Sequence, residues 1–411
     1  MAGDTSKEQP FTLNVPDADL NLLRQKLKNT RFPDELDEAG WEYGVPLADV
    51  KRLVARWQDG FDWRESEAAI NALPQFTRDI EVEGFGTLNI HYLHQKSEEK
   101  NAVPLLFVHG WPGHFLEVRK MLPLLTAKSA DHPSFHVVAP SLPGFGFSEN
   151  PKKKGFAHRQ YAEAANKLMI SLGYDQYVVQ GGDWGHYVSA YLSTFYAHTN
   201  LKAWLSNFPH ARPPTLAQSP RLYLANLPTP YTAREREGLA RTRAFEATGG
   251  GYAFEQGTKP QTVGTALADS PAGLLAWIYE KLVGWSDGCR WEDDEVLEWV
   301  SIYWFSRAGP AASVRIYKEM TGCWAYPVVT NVKWTSIPFG MSHYKDLHYS
   351  PKKWLQTLGN LQFESELHER GGHFAAYEVP EALVGDIRKF FGKGGAAFGV
   401  VEGKNGYASF Q

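Results

Sequence analysis

The sequence predicts a chain of the α/β class, with a mostly parallel, doubly wound sheet into which a helical unit is inserted. The first observation is a set of short apolar runs separated by helical segments, because a parallel strand that is buried on both faces is apolar throughout. These runs are residues 102–108, 135–139, 176–180 and 202–206. The second observation is that the alternation stops after Asn207 and resumes near Ser336. The third is size, because 411 residues with 43% hydrophobic content suffice for one large domain and its insertion.

The N-terminal part of the chain has a helical pattern. Leu20, Leu23 and Leu27 recur at helical spacing, and a second apolar stripe follows at 50–57. We therefore expect residues 1–75 to form a helical region that packs on the core.

The sheet is predicted to begin with a hairpin and to be interrupted once. From Phe76 the apolar period changes to two around the turn 83–86, so the first part of the core spans 76–208. Residues 209–333 are then helical and rich in turns, and we expect them to form a cap over the carboxyl ends of the strands. The remaining segments are the second part of the core at 334–393, with strands at 336–340 and 361–367 and a last helix from Pro380 to about Phe391, and a C-terminal tail of surface coil at 394–411.

Composition excludes several classes of function. A net charge of -4 and a basic run as short as 152–154 argue against nucleic-acid binding. The N-terminus lacks the apolar core of a signal peptide, and no stretch approaches about 18 uninterrupted apolar residues, so we expect a soluble, cytoplasmic protein without a membrane anchor. Cys289 and Cys323 stand in neither a metal nor a redox spacing and are expected to be free thiols. We expect no metal and no organic cofactor.

Asp183 stands in a motif that predicts a nucleophile. An apolar strand runs into Gly181-Gly182-Asp183-Trp184-Gly185, and a helical pattern follows. Strand, sharp turn and helix make the nucleophile elbow of the α/β-hydrolase fold, where small residues leave room for a strained turn. A carboxylate that attacks an sp3 carbon leaves an ester, which water can cleave, whereas a serine would leave an inert ether. We expect Asp183 to attack saturated carbon; the alternative is that it only caps the helix.

The order of a catalytic triad along the chain selects the partners of Asp183. In this fold the acid and then the histidine follow the nucleophile, and the histidine follows the last strand, so only His368 and His373 qualify. We favour His373 as the general base, because two glycines before it let its loop bend into the site, whereas His368 is expected to face water. The orienting acid could come from the loop that precedes the cap, but this loop has Asn207, which carries no charge. Asp346 is the only carboxylate in the loop after the first strand that follows the cap, and we expect it to orient His373.

A second loop is expected to stabilise the oxyanion that forms when water attacks an ester. The strand at 102–108 runs directly into His109-Gly110-Trp111-Pro112-Gly113. We expect the backbone N–H groups of Trp111 and Trp184 to form the oxyanion hole, with His109, Gly110 and Pro112 in the supporting loop. The alternative is an ordinary turn between a strand and a helix.

Four motifs together resemble the epoxide hydrolases of the microsomal type, and most of all their soluble fungal members. They are His109-Gly110-Trp111-Pro112-Gly113, Ser141-Leu142-Pro143-Gly144-Phe145-Gly146-Phe147-Ser148, Gly181-Gly182-Asp183-Trp184-Gly185 and Arg370-Gly371-Gly372-His373-Phe374-Ala375-Ala376. The resemblance implies that two cap tyrosines bind the epoxide oxygen and supply its proton, and local matches give Tyr252 and Tyr317. The chain departs from the mammalian pattern in having no membrane-anchor helix and an Asp as the triad acid.

Chemistry alone supports this choice of tyrosines only in part. Opening an epoxide expels an alkoxide, and a phenol can donate a proton to it while staying neutral at pH 7. Spacing does not say which tyrosine donates. The other candidates in the cap are Tyr223, Tyr231, Tyr279 and Tyr303.

The predicted function is the conversion of epoxides to vicinal diols. Asp183 forms a hydroxyalkyl ester, which is hydrolysed by water that His373 and Asp346 activate. The expected partners are a small epoxide and water, without nucleic acid, and a homodimer is a possible assembly. Two other functions stay open at this point: a haloalkane dehalogenase with the same nucleophile, and a non-catalytic homologue that binds a small molecule.

Overall fold

One sheet of nine strands organises the part of the chain that is described. A computed structural model of the protein describes residues 8–321 and 332–408. The strands are β1 (Gln9–Pro10), β2 (Gln75–Val82), β3 (Gly86–Gln95), β4 (Val103–Val108), β5 (Phe135–Pro140), β6 (Tyr177–Gly181), β7 (Leu201–Ser206), β8 (Pro338–His343) and β9 (Asn360–Leu367). Their order is β1-β2-β3-β5-β4-β6-β7-β8-β9. The pairs from β1 to β5 are antiparallel, and every pair from β5 to β9 is parallel.

Helices cover both faces of this sheet and also form the insertion. Those of the N-terminal region and the first part of the core are α1 (Asp17–Lys28), α2 (Leu47–Asp59), α3 (Trp63–Asn71), α4 (Leu122–Thr126), α5 (His158–Ser171) and α6 (Trp184–Tyr196). Those between β7 and β8 are α7 (Pro220–Asn226), α8 (Ala233–Thr248), α9 (Gly251–Thr258), α10 (Pro260–Asp269), α11 (Pro271–Trp285), α12 (Asp293–Trp304) and α13 (Arg315–Thr321). The last are α14 (Lys352–Leu355), α15 (Ala375–Glu378) and α16 (Pro380–Phe391).

The central strands lie between two apolar layers. Every residue of β4 and β6 is buried, which explains why these strands are largely apolar without alternation. The carboxyl ends of β4, β6 and β8 lie at the same edge of the sheet because the strands are parallel. The loops that follow them meet at this edge, where residues of α8, α9 and α12 contact them. The predicted end of the cap at 333 follows a gap in the described residues, so that boundary stays a prediction.

The N-terminal region packs on the cap as well as on the core. Helix α3 buries Trp63 and Ile70 against the core. Helix α1 reaches α10, since Lys26 forms an ion pair with Asp269, with 2.6 Å between Nζ and Oδ1. Helix α2 reaches α12, since its two arginines pair with acidic residues in the first turn of that helix. These pairs are Arg52–Asp293 and Arg56–Asp294. The expectation that residues 1–75 pack on the core is therefore incomplete.

The C-terminal tail is not the surface coil that the sequence predicts. Ala397 and Val401 are buried in the apolar layer that contains α16, and Tyr407 is also buried. The backbone N–H of Gly406 donates to Asn101, 2.8 Å away. The tail therefore covers one side of the core without forming a helix. Among the cysteines, Cys289 is a free thiol, whereas Cys323 lies outside the described residues.

Candidate active site

Asp183 lies in a strained turn between β6 and α6. Its backbone angles are φ 49° and ψ -124°, a conformation that residues with side chains rarely adopt. The two flanking glycines are required by close approach of the backbone. A Cβ at Gly181 would lie 2.4 Å from the carbonyl oxygen of Gly185, and one at Gly185 would lie 1.9 Å from that of Val108. The sharp turn that the sequence predicts is therefore present, with its carboxylate at the carboxyl edge of the sheet.

The other two members of the expected triad meet Asp183 at this edge. The Nδ1–H of His373 donates to Oδ1 of Asp346 over 2.9 Å, and Nε2 of His373 is 3.5 Å from Oδ2 of Asp183. Side chains of His373 and Asp346 are 4% and 0% exposed, so water does not screen the contact between them. The loop of His373 approaches the cap closely, since a Cβ at Gly372 would lie 2.5 Å from the carbonyl oxygen of Trp285.

The protonation of His373 and the protonation of Asp183 depend on each other through their charges. Burial alone would lower the pKa of His373, but the carboxylate of Asp346, and then those of Asp183 and Glu117, raise this pKa to about 9. Burial raises the pKa of Asp183, while the imidazole of His373 and two backbone N–H groups oppose that rise. An imidazolium between two carboxylates is thus the favoured resting state.

His368, the other candidate for the base, has a structural partner instead. Its Nε2 forms an ion pair with the buried carboxylate of Asp386, with 2.6 Å between Nε2 and Oδ2, and Asp386 also accepts a hydrogen bond from Ser342. The expectation that His368 faces water holds only in part, because its side chain is 25% exposed but is held by Asp386, which lies 18 residues further on in α16. This contact anchors the start of the loop that carries His373.

The second predicted loop lies against the carboxylate of Asp183. The backbone N–H of Trp111 donates to Oδ1 of Asp183 over 2.7 Å, and Trp184 also offers its backbone N–H to this carboxylate. A Cβ at Gly110 would lie 2.1 Å from the same oxygen, so the loop needs a glycine there. Both N–H groups therefore point to the position where an oxyanion would form.

Side chains of the core and the cap hold this loop. The Nδ1–H of His109 donates to the carbonyl of Gly110, and its Nε2 accepts from the backbone N–H of Leu142. Burial lowers the pKa of His109 to about 4, so the imidazole is neutral and holds the loop through these two hydrogen bonds. From α12, Trp299 Nε1 donates to the carbonyl of Pro112, 2.7 Å away.

Two cap tyrosines stand over the tryptophans of the oxyanion loops. Tyr252 on α9 stacks on Trp111 with 5.4 Å between ring centroids, and Tyr317 on α13 meets Trp184 edge to face at 4.8 Å. The two phenol rings are 5.6 Å apart. Burial, reinforced by Tyr252 and then by Asp183, raises the pKa of Tyr317 well above its ordinary value, so it stays a proton donor at neutral pH.

The other cap tyrosines are placed differently. The hydroxyl of Tyr303 donates to the carbonyl of Gly113 and so braces the oxyanion loop. Tyr279 stacks near Trp41 of the N-terminal region, and Tyr231 lies near Trp354. The pair on α9 and α13 therefore has the placement that the resemblance implies.

Comparisons with known proteins give the family of this chain. Residues 8–118 match the family model described as epoxide hydrolase N terminus, and residues 103–229 match the alpha/beta hydrolase fold. The chain is 34% identical to epoxide hydrolase 1 of Sus scrofa over 95% of this chain and 90% of that protein. The chain belongs to the epoxide hydrolase family. The expected resemblance, the fold class and the enzyme class are confirmed.

Solved structures of epoxide hydrolases have the same fold along nearly the whole chain. The Aspergillus niger epoxide hydrolase is 34% identical and superposes with a TM-score of 0.80, covering 93% of this chain and 95% of that one. Juvenile hormone epoxide hydrolase from Bombyx mori is 30% identical with a TM-score of 0.80, covering 93% of each chain. Epoxide hydrolysis is therefore supported over the dehalogenase and the non-catalytic homologue.

Sequence reasoning missed a buried carboxyl group in the site of this epoxide hydrolase. Glu117 lies in a short 3-10 helix, Phe115–Val118, and lines a small enclosed cavity with Asp183 and His373. Burial raises the pKa of Glu117 to about 8, so it is largely protonated at pH 7. The sequence pattern that could have indicated Glu117 is a single acidic residue in the otherwise apolar run of that helix. Two larger cavities among residues 8–321 and 332–408 lie elsewhere, and neither is lined by Asp183, His373 or Asp346.

A buried lysine faces one of the tyrosines. The side chain of Lys281 on α11 is 3% exposed, and its Nζ lies 5.0 Å from the ring centroid of Tyr252. Its counter-ion is Glu280, with 2.6 Å between Nζ and Oε2. A cation at this distance stabilises negative charge on the phenol oxygen.

Residues 8–321 and 332–408 contain neither a cluster of metal-ligating side chains nor a helix suited to crossing a membrane. In this part of the chain no cluster of three or more His, Cys, Asp or Glu side chains could hold a metal ion. None of the helices described there has the length and apolar character that crossing a membrane requires.

Proposed function

We propose that this epoxide hydrolase works through a covalent ester on Asp183, which His373 and Asp346 then help water to cleave. The observation that carries the proposal is the arrangement of the two carboxylate oxygens of Asp183. Oδ1 accepts the backbone N–H of Trp111, whereas Oδ2 lies on the side of His373. One oxygen is thus held as a future carbonyl oxygen, and the other is available to attack.

In the first step, Oδ2 of Asp183 attacks a ring carbon of the epoxide. The new bond joins Oδ2 to that carbon, and the bond from the same carbon to the ring oxygen breaks. The ring oxygen takes a proton from Tyr252 or Tyr317, since the two rings pack on Trp111 and Trp184 beside Asp183 and a phenol is ordinarily neutral at pH 7. The cation of Lys281 beside Tyr252 favours this transfer, because it stabilises the phenolate that remains.

Alkylation itself prepares the base for the second step. The charge of Asp183 is one of the causes that raise the pKa of His373. Ester formation removes this charge, so the pKa of His373 falls and the imidazolium can return its proton to the phenolate, directly or through solvent. Neutral His373 is then able to accept a proton from water while Asp346 stabilises the imidazolium that forms again.

In the second step, water attacks the ester carbonyl carbon of Asp183. The negative charge on Oδ1 is stabilised by the backbone N–H groups of Trp111 and Trp184. The bond between the carbonyl carbon and Oδ2 then breaks, and the diol leaves with a proton from His373. We place the attacking water in the small cavity beside Asp183, where protonated Glu117 offers it a hydrogen bond.

Trapping the ester tests this mechanism. His373→Gln removes the base and leaves the nucleophile, so stoichiometric styrene oxide should increase the mass of the intact protein by one substrate. Adding Asp183→Asn to the same variant should abolish the adduct. A His373→Gln protein that stays unmodified, or that still releases diol at the wild-type rate, would contradict the two-step mechanism.

An isotope experiment tests which atom water attacks. In heavy-oxygen water, a single turnover of the wild-type enzyme should leave the diol unlabelled and place the label in the peptide that contains Asp183. Label in the first diol formed would show direct attack of water on the epoxide. The homodimer and the soluble, cytoplasmic location stay predictions.

A further inference from the structure

One face of cap helix α8 lies on the loop that carries the triad acid. The residues on this face are Gly238, Arg241, Thr242 and Phe245, at the spacing of successive helical turns. The loop is 344–350, which follows β8 and contains Asp346. Gly238 is the one fully buried residue of α8, so apolar burial contributes little to holding this polar helix in place.

Close approach and hydrogen bonds hold α8 on the acid loop instead. A Cβ at Gly238 would lie 2.3 Å from the ring of Tyr349, so the helix backbone rests directly on this ring. The backbone N–H of Tyr349 donates to Oγ1 of Thr242 over 2.8 Å. One turn further on, Phe245 meets the ring of His348 edge to face at 5.4 Å.

Arg241 makes the contact that reaches the triad itself. Its Nε–H donates to the carbonyl oxygen of Asp346 over 2.8 Å. On its other side the loop is tied to the histidine loop, because the backbone N–H of Lys345 donates to the carbonyl of Gly371. The backbone of Asp346 is thus held between the cap and the loop of His373.

The carboxylate of Asp346 depends on this backbone placement. Its Oδ1 accepts hydrogen bonds from the Nδ1–H of His373 and from the backbone N–H of Leu347. Its Oδ2 accepts no hydrogen bond from the described residues. A shift of the loop would therefore lengthen the contact with His373, without another side chain to hold the carboxylate. We propose that Arg241 is a positioning residue, through which the cap keeps Asp346 in contact with His373 during ester hydrolysis.

This inference rests on the proposed function and predicts which half of the reaction depends on Arg241. Alkylation needs Asp183 and the cap tyrosines but no base, whereas ester hydrolysis needs the pair of His373 and Asp346. Loss of a hydrogen bond from a charged donor corresponds to a change of about tenfold. We expect Arg241→Met to slow ester hydrolysis by about tenfold and to change alkylation less than twofold.

The experiment compares three variants with styrene oxide as the substrate. Rapid quenching and mass spectrometry give the rates of ester formation and ester loss. Arg243→Met is the matched control, since Arg243 is an exposed residue of the same helix, and it should behave as wild type. Arg241→Lys keeps a cationic donor and should recover part of the lost rate. Equal slowing of both half-reactions in Arg241→Met, or an unchanged rate of ester loss, would overturn the proposal.

The pH dependence of ester hydrolysis distinguishes a loss of positioning from a general loss of structure. The ionisable groups that face His373 are Asp183, Asp346, Glu117, His348 and Glu378. A weaker contact with Asp346 stabilises the imidazolium less, so the pKa of His373 falls and the acid limb of ester hydrolysis should move to lower pH in Arg241→Met. An acid limb that stays in place while the rate falls would also contradict the proposal.

Two outcomes have separate meanings in this design. If Arg241→Met does not fold, Arg241→Ala, which also lacks the donor, takes its place, and an unchanged rate of ester loss and unchanged profile in that variant would reject the proposal. If the wild-type enzyme forms no ester at all, the proposed function has failed, and Arg241 is not the cause.

Discussion

Replacing Asp346 by Asn tests the role of the triad acid with nearly no change of shape. The Asp346 side chain is fully buried and 2.9 Å from Nδ1 of His373, so its charge acts on the imidazole without screening by water. An opposite charge this close changes a pKa by about 1 to 3. The pKa of His373, now raised to about 9, should fall by that amount in Asp346→Asn. An Asn amide in this place also favours the wrong tautomer, with the proton on Nε2.

The wrong tautomer cannot accept a proton from water, so ester hydrolysis should be slower by about 10⁴-fold. Alkylation should continue, because it needs no base, and the ester on Asp183 should accumulate. Rapid quenching followed by mass spectrometry of the intact protein measures both half-reactions. Glu8→Gln is the matched control, since Glu8 also pairs with a buried histidine, His94, 2.8 Å away, and it should not accumulate ester. Steady-state turnover of Asp346→Asn within tenfold of wild type would refute this reasoning.

Two further predictions concern Glu117 and Gly185. The pKa of Glu117 is raised by burial from 4.5 to about 8, so the folded state binds a proton that the unfolded state releases, and stability falls as pH rises between these values. Glu117→Gln removes the cost of ionising a buried carboxyl group, so the melting temperature of this variant relative to wild type should increase from pH 5 to pH 8. A difference in melting temperature that is the same at both pH values would contradict the raised pKa of Glu117. Gly185→Ala places a Cβ 1.9 Å from the carbonyl oxygen of Val108 and should destabilise the fold by about 3 kcal/mol. Gly385→Ala is the control, because a Cβ there would have no neighbour within 4 Å, and this variant should melt close to wild type in the same thermal assay. Equal melting temperatures of the two alanine variants would show that the elbow tolerates a side chain.

The elbow and the oxyanion loop were predictable because their geometry is local. A strained turn at Asp183 needs glycine on both sides, and the glycines can be read directly from the chain. The order of strands and helices likewise follows from apolar periodicity, which depends on neighbours within a few residues. Chain order in this fold narrowed the histidine to His368 and His373, and the two glycines before His373 favoured it because they let its loop bend toward Asp183.

Other features depend on residues that are far apart in the chain. Glu117 has a raised pKa only because packing encloses it beside Asp183. His368 was expected to face water, but α16 brings Asp386 under it. The tail was expected to be coil on the surface, but Val401 is buried in the core. No spacing in the sequence indicates these contacts, because each depends on how separate elements pack.

The amino-acid sequence by itself determined the fold class, the strained turn at Asp183, the choice of His373 and the loop that faces them. These depend on backbone conformation and on the order of elements, both of which short motifs encode. Only the tertiary structure decided how the cap meets the site: which phenols pack on Trp111 and Trp184, where Lys281 lies beside Tyr252, and that Arg241 reaches Asp346. The physical reason is that charge, burial and hydrogen bonding act over a few ångströms in space, between residues that are far apart in the chain.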